Sequence, residues 1–216
     1  MTTTLFPLGR IVNHDPRSRE YPARMAPVLR TIRHRHYGPV LHQGALGSCT
    51  GNAMAQALMT APLRVKGRVL TEADAVSIYS EATTFDTFPG TYPPTDTGSS
   101  GLSVAKAAQR RGLIAGYTHA FGLDQCLAAL VLGPVLVGTT WTEGMYSPNA
   151  AGFAQATGLA LGGHEYCLVG LNLEQRYVTA INSWGVGWGK KGFFRLTFDT
   201  LDTLLRDQGD CTIPSE

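Results

Sequence analysis

Gln43, Cys49, His164 and Asn182 are the residues whose types could together perform nucleophilic chemistry. Cys49 lies in Q-G-A-L-G-S-C-T-G-N-A-M, residues 43–54, which reads as a loop running into a helix. A thiol in the first turn of a helix sits at the positive end of its dipole. The thiolate is favoured there, and its pKa is expected below the free value of about 8.5. Gln43, six residues upstream, can bring a neutral amide to the thiol. Gly44 and Gly47 let the backbone turn tightly between them.

Such a thiol needs a base. His14, His34, His36 and His42 precede Cys49, in an arginine-rich region or at its edge, and His119 reads as part of a polar turn. His164 differs, because L-G-G-H-E-Y-C-L-V-G places it at the mouth of an apolar strand with Gly162 and Gly163 leaving one side open. Alone, a histidine at a strand start is more often structural. Asn182 opens N-S-W-G-V-G-W-G at the end of a strand expected to pair with the His164 strand. Its amide oxygen could accept from the imidazole and hold its tautomer. Trp184 could shield that bond from water. Taken singly, this segment is equally a glycine-rich turn with core tryptophans.

The positioning elements follow from periodicity. Ala53, Met54, Ala57 and Leu58 recur at helical spacing after Cys49. T-E-A-D at residues 71–74 reads as a capping box opening a second helix with Ala75, Ile78, Tyr79 and Ala82 on one face. Residues 86–101 form a long loop dense in Gly, Pro, Ser and Thr, a length usually associated with function. A third helix is expected over 102–111 and a short one over 123–132. Strand-like runs then occupy 135–140, 165–172, 176–183 and 193–198. Helices first and strands afterwards predict an α+β protein with two lobes, helical over about 41–122 and β over about 123–216, and a cleft between them.

Composition narrows the function classes. The 44% hydrophobic content supports a core, and a net charge of +2 is too small to imply nucleic acid or membrane binding. No apolar run suits a signal peptide or a bilayer span, so a cytoplasmic or virion-associated protein is expected. The spacing of Cys49, Cys126, Cys167 and Cys211 contains no C-x-x-C pair, which disfavours a zinc site or redox pair. Cys126 and Cys167 read as buried free thiols, while a bridge from either to Cys211 stays open. Residues 1–40 carry seven arginines against Asp15 and Glu20. They read as an extended arm on the body, or as a docking arm for an acidic partner or larger assembly. The absence of a long helical pattern there disfavours an autoinhibitory propeptide.

Together these pieces resemble the papain-like cysteine peptidases over about residues 40–198, and of a short prokaryotic or bacteriophage type. Gly47-Ser48-Cys49 resembles the nucleophile turn, Gly163-His164 the general-base strand, and Asn182-Ser183-Trp184-Gly185 with Trp188-Gly189 the asparagine block. The resemblance implies a Cys49–His164–Asn182 triad with Gln43 in the oxyanion hole and Trp184 in support. The thiol and imidazole are then expected as an ion pair. Gly98, Ser99, Ser100 and Gly101 resemble the segment that pairs with substrate backbone. The resemblance also implies that Gly163 and Glu165 border the main specificity pocket, where Glu165 would suggest a preference for a basic side chain.

Departures are a missing upstream cysteine, Thr50 in place of an aromatic, and a shorter interval from Cys49 to His164 than the roughly 130–150 residues usual in the family. The implied substrate is a peptide or protein, with no metal and no cofactor. Rival readings are a hydrolase of bacterial cell-wall peptides on the same fold, and a non-enzymatic structural or adaptor protein with a residual cleft.

Overall fold

The computed structural model describes residues 6–23 and 28–216; Arg24, one of the seven arginines of the arm, lies outside them. Helix α1, Cys49–Leu58, is buried along its whole length, as its run of Ala, Met and Leu requires. Helix α2, Glu72–Ala82, begins with the expected capping box: Thr71 Oγ1 accepts from the Asp74 N–H at 3.4 Å, and Asp74 Oδ2 accepts from the Thr71 N–H at 2.8 Å. Helix α3, Gly101–Arg110, starts at Ser100, whose Oγ accepts from the Ser103 N–H at 3.2 Å. These three helices pack over Leu136, Cys167, Val169 and Ile181 of the sheet to form one core.

Seven strands make the sheet: β1 (Ile32–Arg33), β2 (Gly116–Ala120), β3 (Val135–Thr142), β4 (Ala160–Asn172), β5 (Tyr177–Ile181), β6 (Phe193–Thr197) and β7 (Asp210–Ser215). The order is β2-β7-β3-β4-β5-β6, with β1 added to β4, and every pairing is antiparallel. The sheet is an open path. Helices α4 (Leu123–Leu132) and α5 (Phe198–Arg206) cover it, enclosing a second core rich in aromatic residues. Phe194 is central there, with its ring centroid 5.1 Å from Tyr166, 5.5 Å from Trp188 and 5.6 Å from Trp141.

Long β4 fixes the site. Its register sets His164 opposite Thr139 and Glu165 opposite Gly138 of β3. The strand runs farther than expected, beginning at Ala160, because β3 continues to Thr142 beside it across a register shift at Trp141/Thr142. The short β2 and β7 and helix α5 were not foreseen. His119 accordingly is buried within β2, paired with Thr212, and not in a polar turn. All four cysteines are free and buried.

The arm is structured where described. Asp15 Oδ1 accepts from the Arg17 N–H at 3.0 Å at the head of a 3-10 turn, Pro16–Glu20. His34 is buried, with Nε2 2.7 Å from the Leu130 carbonyl, so the imidazole donates to it. Phe6 to Asn13 enter the region between the two cores.

Replacing Phe194 by Ala should lower unfolding free energy by about 3–5 kcal/mol, the usual range for emptying a buried aromatic site. Urea denaturation monitored by tryptophan fluorescence checks this; a loss below about 1 kcal/mol would remove Phe194 from the centre of the core.

Candidate active site

Two anchors hold the loop before Cys49. The Gln43 N–H donates to the Ser183 carbonyl at 2.9 Å, tying the loop to the β lobe. The Gly47 N–H donates to Asp96 Oδ2 at 2.8 Å, and the Tyr79 hydroxyl donates to Asp96 Oδ1. Tyr79 also accepts from the Gly98 N–H at 2.9 Å. Asp96 therefore joins the nucleophile loop to α2 and to the long loop before α3. Behind Cys49, Asn52 Nδ2 donates to both Glu72 carboxylate oxygens at 2.8 and 2.9 Å, locking α1 to α2.

The Cys49 thiol is fully buried and meets the backbone N–H groups of Glu165, Gly9 and Thr50. Burial pushes its pKa up to about 12, against the lowering by those N–H groups. A helix dipole contributes up to ~2 kcal/mol, whereas full burial shifts a pKa by up to about 3–5 units, so desolvation wins. The expected lowering of the Cys49 pKa does not hold in this conformation.

His164 is equally buried, and its Nε2 lies 2.7 Å from Asn182 Oδ1. That oxygen also accepts from the Ser183 N–H at 2.8 Å, which fixes it as the carbonyl end of the amide. Nε2 therefore carries the proton, and Nδ1 keeps a free lone pair. Nδ1 is buried without a hydrogen-bond partner. Trp184 and Trp141 cover the imidazole, with centroids 4.7 and 4.8 Å from it. Burial holds the His164 pKa down at about 4. A neutral thiol and a neutral imidazole thus replace the expected ion pair, because water is excluded from both.

What excludes the water is the arm. The Arg10 N–H donates to the Gly163 carbonyl at 3.0 Å, the Ile11 N–H to the Ser99 carbonyl at 2.7 Å, and the Ser99 N–H to the Gly9 carbonyl at 2.8 Å. Arg10 and Ser99 form a parallel bridge. Phe6 stacks on Trp184 at 4.8 Å, and its carbonyl accepts from the Tyr146 hydroxyl at 3.1 Å. Gly9 is required by contact: a Cβ there would overlap the Gly47 carbonyl. The described part of the arm therefore lies against both walls, beside Gly163 and Ser99. No helix is needed for that placement, because an extended segment bonds directly to the cleft walls.

Gln43 points its amide into the same place. Its Nε2 donates to the Leu46 carbonyl at 2.8 Å and to the arm's Pro7 carbonyl at 3.3 Å, while Oε1 accepts from the Ser183 hydroxyl. Of the other residues singled out in the sequence, Ser99 and Gly163 pair with arm backbone, and Gly98 packs under the Gly9 carbonyl. Ser100 caps α3 and accepts from Asn13 Nδ2 at 3.4 Å. Gly101 and Glu165 face each other beside Arg10. Sequence reasoning missed Asp96, Tyr79, Trp141 and Asp210, and saw Arg10 only as part of a charge run. Among the described residues no group of three His, Cys, Asp or Glu could hold a metal ion, and no helix is long and apolar enough to cross a membrane.

Residues 41–215 match the family described as "Papain family cysteine protease". "Cathepsin B-like cysteine proteinase 5" of Caenorhabditis elegans is 35% identical over 69 residues, 31% of this chain and 20% of the relative. "Cathepsin B-like cysteine proteinase 4" of the same organism is 30% identical over 114 residues, 51% of this chain and 32% of the relative. The matched stretches thus span a third or less of these curated relatives. Xylellain, a cysteine protease from Xylella fastidiosa, superposes with a TM-score of 0.75 at 17% identity, over 100% of this chain and 99% of that one. Digestive procathepsin L 3 of Tenebrio molitor larval midgut gives 0.67 at 16% identity, over 97% and 76%. At these identities the likeness to solved structures is one of fold.

The buried neutral thiol predicts no Cys49 thiolate below about pH 9 in the full chain. Absorbance at about 240 nm, full chain minus Cys49→Ala, measures it; a titration step near neutrality would contradict the desolvated thiol.

Proposed function

The chain belongs to the papain family of cysteine proteases, and from that premise we propose that it hydrolyses peptide bonds as an endopeptidase through Cys49, His164, Asn182 and Gln43. The observation that carries the proposal is the tautomer of His164. Its Nε2–H is committed to Asn182, so the one basic lone pair is at Nδ1, buried and unpartnered. The backbone N–H of the next residue along β4, Glu165, lies near the Cys49 sulfur, which supports a base and a nucleophile at one corner of the cleft.

With a peptide in the cleft, Cys49 Sγ bonds to the carbonyl carbon and its proton passes to His164 Nδ1. The carbonyl π electrons move to oxygen, which the Gln43 Nε2–H and the Cys49 backbone N–H stabilise. The oxyanion collapses, the C–N bond breaks, and the His164 proton goes to the departing amine. Water then attacks the thioester, giving one proton to His164 and its oxygen to the acyl carbon. The C–S bond breaks, and the proton returns to sulfur. Asn182 holds the ring throughout, and Trp184 and Trp141 keep its hydrogen bond dry.

The full chain is latent in its closed form. The arm's Gly9 backbone lies near the Cys49 sulfur and against the Gly47 carbonyl, so the arm occupies the place a substrate would take. The arm must leave before a peptide enters. Its release also rewets Cys49 and His164, relieving the burial that holds both neutral.

Hydrolysis of casein and of a mixed peptide library by the chain carrying Gly9→Ala, whose added Cβ displaces the arm from the Gly47 carbonyl, tests the reading, with the site variants made in that background. Cys49→Ala should abolish activity with the fold retained, and Gln43→Ala should cut kcat by about 10²–10³, the usual cost of one oxyanion donor. Activity retained by Cys49→Ala would refute the assignment.

A further inference from the structure

Arg10 carries the arm into a pocket that is acidic beyond what one guanidinium needs. Its side chain is buried and donates from Nε to Asp210 Oδ2 at 3.1 Å, and from Nη2 to the same oxygen and to the Gln208 carbonyl, the latter at 2.6 Å. Glu165 stands beside it, fully buried, with neither carboxyl oxygen hydrogen-bonded. Asp210 Oδ1 and Thr212 Oγ1 are buried and unpartnered as well. Four acceptor atoms thus converge on one small volume from β4 and β7.

Glycine shapes the walls. A Cβ on Gly138 would lie 2.6 Å from Arg10 Nε and 2.5 Å from Glu165 Oε2. A Cβ on Gly101 would lie 2.7 Å from Glu165 Oε1, 3.1 Å from Asp210 Oδ1 and 3.2 Å from Thr212 Oγ1. A flat forked group fits between these walls. Behind them a cavity of about 580 Å³, lined by Asp210, Thr212, Gly101, Gln208 and Asn13, leads to the surface.

We propose that this pocket, walled by Glu165 and Asp210, selects an arginine side chain in the peptide substrate, and that Arg10 of the arm is its occupant in the closed form. The proposal rests on the peptidase reading and names the substrate class for it. An apolar side chain would leave the half-buried Asp210 carboxylate without its cation and the fully buried Glu165 carboxyl without a hydrogen-bond partner, a larger penalty than a misfit of size. A guanidinium supplies planar donors on several edges, which lysine does not. One pocket therefore sets both selectivity and latency: substrate arginine and Arg10 compete for Asp210 and for the place beside Glu165.

The test uses the full chain with Arg10→Ala, which frees the pocket. Peptides carry arginine, its neutral isostere citrulline, or leucine in turn at each of the three positions preceding the scissile bond. At one of them kcat/KM should be at least about tenfold higher for arginine than for citrulline. Asp210→Asn in the same background should reduce that ratio to about two or three, and Glu165→Gln serves if Asp210→Asn does not fold. The same peptides are titrated by calorimetry into the Cys49→Ala, Arg10→Ala chain, where binding needs no turnover. The Kd ratio should again favour arginine at least about tenfold. Equal Kd values for arginine and citrulline at every position would overturn the pocket proposal. Arginine-selective binding with no peptide hydrolysed by the Arg10→Ala chain would uphold the pocket and sink the peptidase reading.

Discussion

A strand of backbone laid between the two lobes covers Cys49 and His164. Gly9 approaches Gly47 more closely than any side chain would allow, and from there Arg10 and Ile11 pair with Gly163 and Ser99 on opposite walls of the cleft. Those contacts exclude water from Cys49 and His164. Two charges that would attract each other in an open, hydrated cleft are thereby kept from forming. The helix dipole and three nearby N–H groups act in the thiolate's favour, but they are weaker than the loss of solvation.

Elements outside the arm also position the site residues. The His164 ring is set by Asn182 from β5's end, by Trp141 from β3 and by Trp184 beyond it. The thiol is set by α1, which Asp96 and Glu72 tie to α2. The cover over them is one extended segment, held by backbone hydrogen bonds to Gly163 and Ser99 and by the buried Arg10 side chain on Asp210.

Much of this was legible in the sequence. The helices α1 to α4 announced themselves through apolar spacing and, for α2, the Thr71–Asp74 box. Gln43, Cys49, His164 and Asn182 stood out because few other residue types can do their chemistry. Other parts were hidden for physical reasons. Strand β7 contains Pro214, which lacks an N–H and reads against a strand, and β2, G-Y-T-H-A, has no clean alternation. Helix α5 follows β6 without a break, so its Phe198, Leu201 and Leu205 face merged with the strand before it. The Arg10–Asp210 pair joins residues 200 positions apart, and no local period can reveal such a contact. The arm's composition, dense in arginine, spoke for a solvated segment, and only the β4 and β7 carboxyls explain why one of those arginines is buried.

The central claim is that close backbone contact at Gly9 holds the thiol covered. Labelling of Cys49 by a thiol-directed epoxide, followed by mass spectrometry in the full chain and in Gly9→Ala, tests it most directly. The added Cβ cannot be accommodated against the Gly47 carbonyl, so the arm should lift and the labelling rate should rise at least about tenfold, with Cys126, Cys167 and Cys211 still unlabelled. An unchanged or slower rate in Gly9→Ala, with the variant folded, would contradict it.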